Sequence, residues 1–172
     1  MEAKRPMIEK APCSSPLPEL EVPMINTMVA CLGSEHKKLN QLIMQLACVA
    51  TRLAGDSGSV TASERALQIW NEIRHDLRSH LQIEDELVLS WGESHHAIPR
   101  ALLDTLKNER QEMHKLMATL RELSAGADRE QTVADRISFA HTLLALARTL
   151  DSHVERYDGE VLPSILRALF HQ

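Results

Sequence analysis

The segment LGSEHKKLNQLIMQLACVATRL, Leu32 to Leu53, decides the fold. Its inward candidates recur as Leu32, His36, Leu39, Ile43, Leu46, Ala50 and Leu53, in alternating steps of four and three. With about 3.6 residues per turn, that spacing lines them along one face of a helix. The pattern predicts a helix over about 25–53. One member of its stripe is a histidine, so a polar ring is carried on the face that should be buried.

The same periodicity returns three more times. Gly55-Asp56-Ser57-Gly58-Ser59 interrupts the first helix, and Ser59 or Thr61 can cap the next. A second helix, about 61–91, carries Ala66, Trp70, Ile73, Leu77, His80, Glu84, Leu87 and Trp91. Gly92 to His96 reads as a loop, and Pro99 suits the start of a third helix, about 99–124. Its stripe is Leu102, Leu106, Met113, Met117 and Leu120. Gly126 should end it, and Asp128 can cap a fourth helix running from about 129 to Asp158. Ile137, Ala140, Leu143, Leu146, Leu150, His153 and Tyr157 form that stripe. Gly159 and Pro163 should end or bend it before a short tail helix, SILRALF. No Val/Thr-rich alternation calls for a strand. The expected fold is all-α: an up-down-up-down antiparallel four-helix bundle in residues 25–172, with a Pro-rich extended N-terminal arm over 1–24 and a short C-terminal tail helix.

Composition narrows the function. A chain of 172 residues with 44% hydrophobic and 25% charged residues has a globular composition and room for one domain of ordinary size, or at most two very small ones. Net charge is −5, and the Lys and Arg residues are scattered, so neither nucleic acid nor an anionic membrane is an expected partner. Two Trp, two Phe and one Tyr leave no stacking platform for single strands. No run approaches the ~18 apolar residues of a membrane span. Cys13, Cys31 and Cys48 form no C-x-x-C pair, which argues against a disulfide framework or a thiolate zinc cluster. Cys31 and Cys48 read as small buried apolar groups. The N-terminal stretch has charges and prolines where a signal peptide has its apolar core, so a cytoplasmic location is expected.

Nine histidines are the unusual feature. His80 and Glu84 are four apart on the inward face of helix two, and an ionised carboxylate buried there needs a partner or a cation. His36 interrupts the stripe of helix one and His153 that of helix four, with Asp158 five residues on. His114 stands near the middle of helix three. In an antiparallel bundle these positions can share a level. Imidazoles and carboxylates converging there suit iron or manganese, with zinc also compatible.

These segments resemble the hemerythrin-like, HHE cation-binding family. HLQIEDELVL from His80 is close to its H-x-x-x-E repeat, and HVERYDGEVLP from His153 is similar to its second repeat. SEHKKLNQL around His36 and ERQEMHKLM around His114 are like its first- and third-helix motifs, and the likeness covers about residues 25–165. The resemblance implies a non-haem centre of two irons, oxo- and carboxylate-bridged. His36, His80, His114 and His153 would then be terminal ligands, with Glu84 and Asp158 as bridges.

Two positions depart from the family pattern. Arg110 stands where a first third-helix histidine is expected, with Glu109 before it as a substitute ligand whose wheel angle fits the stripe better than that of His114. Arg110 is instead a salt-bridge candidate for Glu84 or Glu109. Tyr157 sits four residues after His153, either as a phenolate ligand or as a hydrogen-bond donor to a bound ligand. His75, His95, His96, His141 and His171 read as solvated, and Met44, Met113 and Met117 as core filler. Three functions follow. The first is a metal-binding protein that binds or senses O₂, NO, peroxide or iron. The second is a di-iron enzyme reducing peroxide or nitric oxide. The third is a structural or interaction bundle with a degenerate metal site, pairing with a partner or with itself as a homodimer.

Overall fold

The computed structural model describes residues 21–55, 59–125 and 132–170. Five α-helices account for most of them: α1 (Glu21–Gly55), α2 (Val60–Glu84), α3 (Arg100–Ala125), α4 (Val133–Arg156) and α5 (Leu162–Phe170). Among the described residues there is no strand, and no helix is long and apolar enough to cross a membrane. The chain forms a helical bundle in which α1 packs on both α2 and α4, and α3 packs on α4.

The apolar stripes are the buried faces. All seven positions of the Leu32–Leu53 stripe are buried, as are Ala66, Trp70, Ile73, Leu77, His80, Glu84 and Trp91. Leu87 lies among the side chains that are not described. Met117 and Ile137 are half-buried. The helix starts follow local chemistry. Ser59 Oγ accepts from Ala62 N at 3.2 Å, so Ser59 rather than Thr61 caps α2. Thr132 and Asp135 form a reciprocal capping box at the start of α4. The expected stop at Gly126 and cap at Asp128 fall outside the described residues.

Several expectations are corrected. Glu21 to Met24 belong to the first turns of α1, not to the arm, because Pro23 is tolerated in a first turn whose N–H groups have no helical partner. Residues 1–20 of the proposed arm lie outside the described residues. Helix two does not run on as one α-helix: after Glu84 it widens into a π-helical stretch, Asp85–Gly92. Helix four likewise passes into a π turn, Tyr157–Val161, and runs on into α5, the expected tail helix, without a break. The wider turn accommodates Pro163, whose ring would strike the preceding turn of a regular α-helix. Cys31, Cys48 and Met44 are exposed, since each falls beside its stripe and not on it. His95 is also no free loop residue, because its ring stacks on Trp91 at 4.7 Å.

The core has two parts. One cluster includes Leu39, Leu46, Ile73, Leu77, Met113 and Leu146. The other includes Ile25, Leu32, Trp91, Leu106, Tyr157 and Ile165. Between them each long helix places polar residues: His36 between Leu32 and Leu39, Glu84 between Leu81 and Trp91, Arg110 between Leu106 and Met113, His153 between Leu150 and Tyr157. Read along the chain, α1 and α3 pass from the second cluster to the first, and α2 and α4 pass the other way.

Candidate metal centre

Glu84 is the hub of this polar layer. It is fully buried, at 0% exposure, where an ionised carboxylate survives only with compensating charge. His80 Nε2 approaches its Oε1 at 2.9 Å, and His36 Nε2 lies 3.5 Å from the same oxygen. His153 Nε2 spans both oxygens, at 3.1 and 3.0 Å. Arg110 Nη1 donates to Oε2 at 3.1 Å. Burial opposes ionisation of Glu84, but the three imidazoles outweigh it and hold the carboxyl well below its usual range.

The second nitrogen of each imidazole is held by a carboxylate. His36 Nδ1 pairs with Asp158 Oδ1 at 2.6 Å, His80 Nδ1 with Glu35 Oε2 at 2.9 Å, and His153 Nδ1 with Glu109 Oε2 at 3.3 Å. A carboxylate behind a histidine fixes ring orientation and raises the basicity of the opposite nitrogen, as it does for metal-ligating histidines. Burial works against charge on His153, but Glu109 and Glu84 prevail and push its pKa up to about 9. His80 is raised for the same reason by Glu84 and Glu35, against the cost of burial. Without metal, protons thus supply part of the positive charge that Glu84 requires.

The Nε2 atoms of His36 and His80 are buried and lack a hydrogen-bond partner, despite their closeness to Glu84 Oε1. Proximity without hydrogen-bond direction is the arrangement expected of donors that share a point between them. His36, His80 and Glu84 can each offer one ligand atom, all within 4.8 Å of one another. Two imidazole nitrogens and a carboxylate oxygen in a dry layer fit a first-row cation.

A family profile described as the hemerythrin HHE cation-binding domain matches residues 27–165. The chain belongs to the hemerythrin family. No curated protein and no solved structure gives a match. Domains of this hemerythrin type bind metal cations, typically iron, and the His36–His80–Glu84 cluster fits such a site.

The remaining residues expected at the hemerythrin centre are placed as follows. His153 reaches Glu84. Asp158 does not lie between donor groups as a bridge; it is half-exposed and bound to the outer nitrogen of His36. Glu109 backs His153 and is itself held by Arg156 Nε at 2.9 Å. His114 is not brought to this cluster: it is exposed on the far side of α3, because Arg110 and Met113 take the inward positions of that turn. There it lines a surface groove with Arg74, His75, Arg78 and Arg121. Tyr157 is buried between His36 and His153, with ring centroids 5.2 and 5.4 Å away and no partner for its hydroxyl. Burial, aided by the charge of Glu84, pushes its pKa well above the usual phenol value, so the metal-free site holds a neutral phenol and not a phenolate. Glu35 is the residue that sequence reasoning missed. Its signal was its place beside His36, about 100° around the helix and toward α2.

Proposed function

We propose that this protein binds iron through His36 Nε2, His80 Nε2 and Glu84, and uses it to bind or sense a small ligand such as O₂, NO or peroxide. The bundle runs up-down-up-down, since successive long helices cross the polar layer in alternating directions. One observation carries the reading: two buried Nε2 atoms, each backed on Nδ1 by a carboxylate, face the same buried carboxylate without hydrogen-bonding to it. Iron bound there would supply an open coordination position and one-electron redox chemistry.

The chain supplies the rest. Asp158 and Glu35 orient the two rings. The apolar clusters above and below keep water out, which strengthens each electrostatic contact inside. Tyr157 holds its phenolic proton in the site without an acceptor, available to a small ligand that brings one. The test is anaerobic reconstitution with ferrous iron, followed by exposure to air, NO or peroxide while spectra are recorded. A saturable spectral change that vanishes in His80→Ala is the expected result; a loaded protein indifferent to all three ligands would refute the reading. Sustained consumption of peroxide or NO would mark the same site as an enzyme's.

A second reading has one contact in its favour. The Arg110–Glu84 ion pair supplies a counter-ion without metal, as a purely structural bundle would require. That reading predicts thermal stability indifferent to added cation or chelator.

A further inference from the structure

We propose that the centre holds a single metal ion, and that the Arg110 guanidinium takes the place of a second cation on Glu84. The inference rests on the metal-binding reading above and replaces the pair of irons that the family pattern implies.

The two oxygens of Glu84 face different cations. Oε1 is turned to the unpartnered nitrogens of His80 and His36, while Oε2 accepts from Arg110. Arg110 is buried, 6% exposed, and its guanidinium is tied at three points to the end of α2 and the start of the π-helical stretch. Besides Glu84, it donates to the Leu81 carbonyl at 2.5 Å and meets Asp85 Oδ2 at 2.7 Å. Such a planar, cationic fork is held in place by these contacts. A metal ion coordinated to Oε2 would have to displace it or stand against a fixed like charge.

Donors run short on that side as well. His153 Nε2 and Glu84 Oε2 are the groups placed there. Glu109 is spent on the other nitrogen of His153, and Asp158 on the outer nitrogen of His36. Of the remaining candidates, His114 is exposed on another face, and Tyr157 brings a phenol between His36 and His153 rather than a further imidazole or carboxylate. The first position has two imidazoles and a carboxylate oxygen; the second has one imidazole and an oxygen already claimed by an arginine. A single ferrous ion has one electron to give, so the site suits a ligand such as NO better than the two-electron reduction of dioxygen.

The test is metal counting on the full chain, stripped with chelator, reconstituted anaerobically with excess ferrous iron and desalted. Electron paramagnetic resonance after oxidation provides the second readout. The expected result is one iron per chain with the half-integer-spin signal of an isolated ferric ion. Arg110→Lys should keep one, and Arg110→His should admit a second and convert the signal to that of a coupled, silent pair. Two irons in the unaltered protein would overturn this inference while leaving metal binding intact; none would overturn the metal-binding reading itself. One iron in a folded Arg110→His variant would also overturn it, by showing that the guanidinium is not what excludes the second ion.

Discussion

At the scale of single residues, the polar layer is a charge balance around Glu84. In the metal-free protein His153, with its pKa raised to about 9, is protonated at neutral pH. Its contribution to stability is fully present below its unfolded value near 6.5 and is lost as the pH rises through about 9. Glu84, whose pKa is depressed, acts in the opposite sense: its contribution is present above its unfolded value of 4.5 and fades as the pH falls toward its folded one. Denaturant unfolding of metal-free protein should therefore show greatest stability between these unfolded values and a decline toward pH 9 on the order of 3 kcal/mol. Bound metal should flatten that decline, because its charge on Glu84 takes over part of the compensation that the proton on His153 supplies. A second prediction concerns the carboxylates behind the rings. Glu35→Ala should weaken metal binding about 10–100-fold by titration calorimetry, as loss of a histidine's supporting carboxylate does elsewhere. The inward positions of His36, His80, Glu84 and His153 were legible in sequence, because helical periodicity alone assigns a residue to a face. The Nδ1 partners were not, because a pairing such as Glu35 with His80, 45 residues apart, depends on how two helices meet.

At the scale of elements, the two π-helical stretches begin directly after the turns that carry Glu84 and His153. Each inserts wider winding where a regular helix would have continued, a feature that recurs at functional sites. Periodicity could not foresee them, since one widened turn leaves the stripe on either side readable. It foresaw an end or a bend at Gly159 and Pro163 but not its form, a π turn that runs on into α5. Gly92 closes the first stretch. A Cβ there would meet Ile98 Cδ1 at 2.6 Å and Cγ1 at 3.2 Å, and Ile98 is buried. Gly92→Ala should therefore cost about 1–3 kcal/mol of stability by overpacking, read from the denaturation midpoint. Ser59→Ala makes the contrast. Loss of the α2 cap should cost about 1 kcal/mol and leave metal affinity unchanged, because the cap lies about 35 Å along the helix from Glu84.

At the scale of the whole molecule, the bundle is two apolar cores separated by a layer of buried ionisable groups. Such a layer adds less stability than apolar packing of the same volume would, and its value depends on complete charge compensation. A cation that binds the folded layer and not the unfolded chain stabilises by mass action, about 2.7 kcal/mol at a hundredfold excess over its dissociation constant. Metal content is thereby linked to the rigidity of all four long helices, since each contributes to the layer.

The most direct measurement is the thermal unfolding midpoint of chelator-stripped protein with and without added ferrous iron under anaerobic conditions, in the unaltered chain and in His36→Ala, His80→Ala, Glu84→Gln and His75→Ala. The account predicts a metal-dependent rise in the unaltered chain and in His75→Ala, whose ring is exposed off the stripe, and no rise in the other three. An equal rise in all five, or none in the unaltered chain, would contradict it.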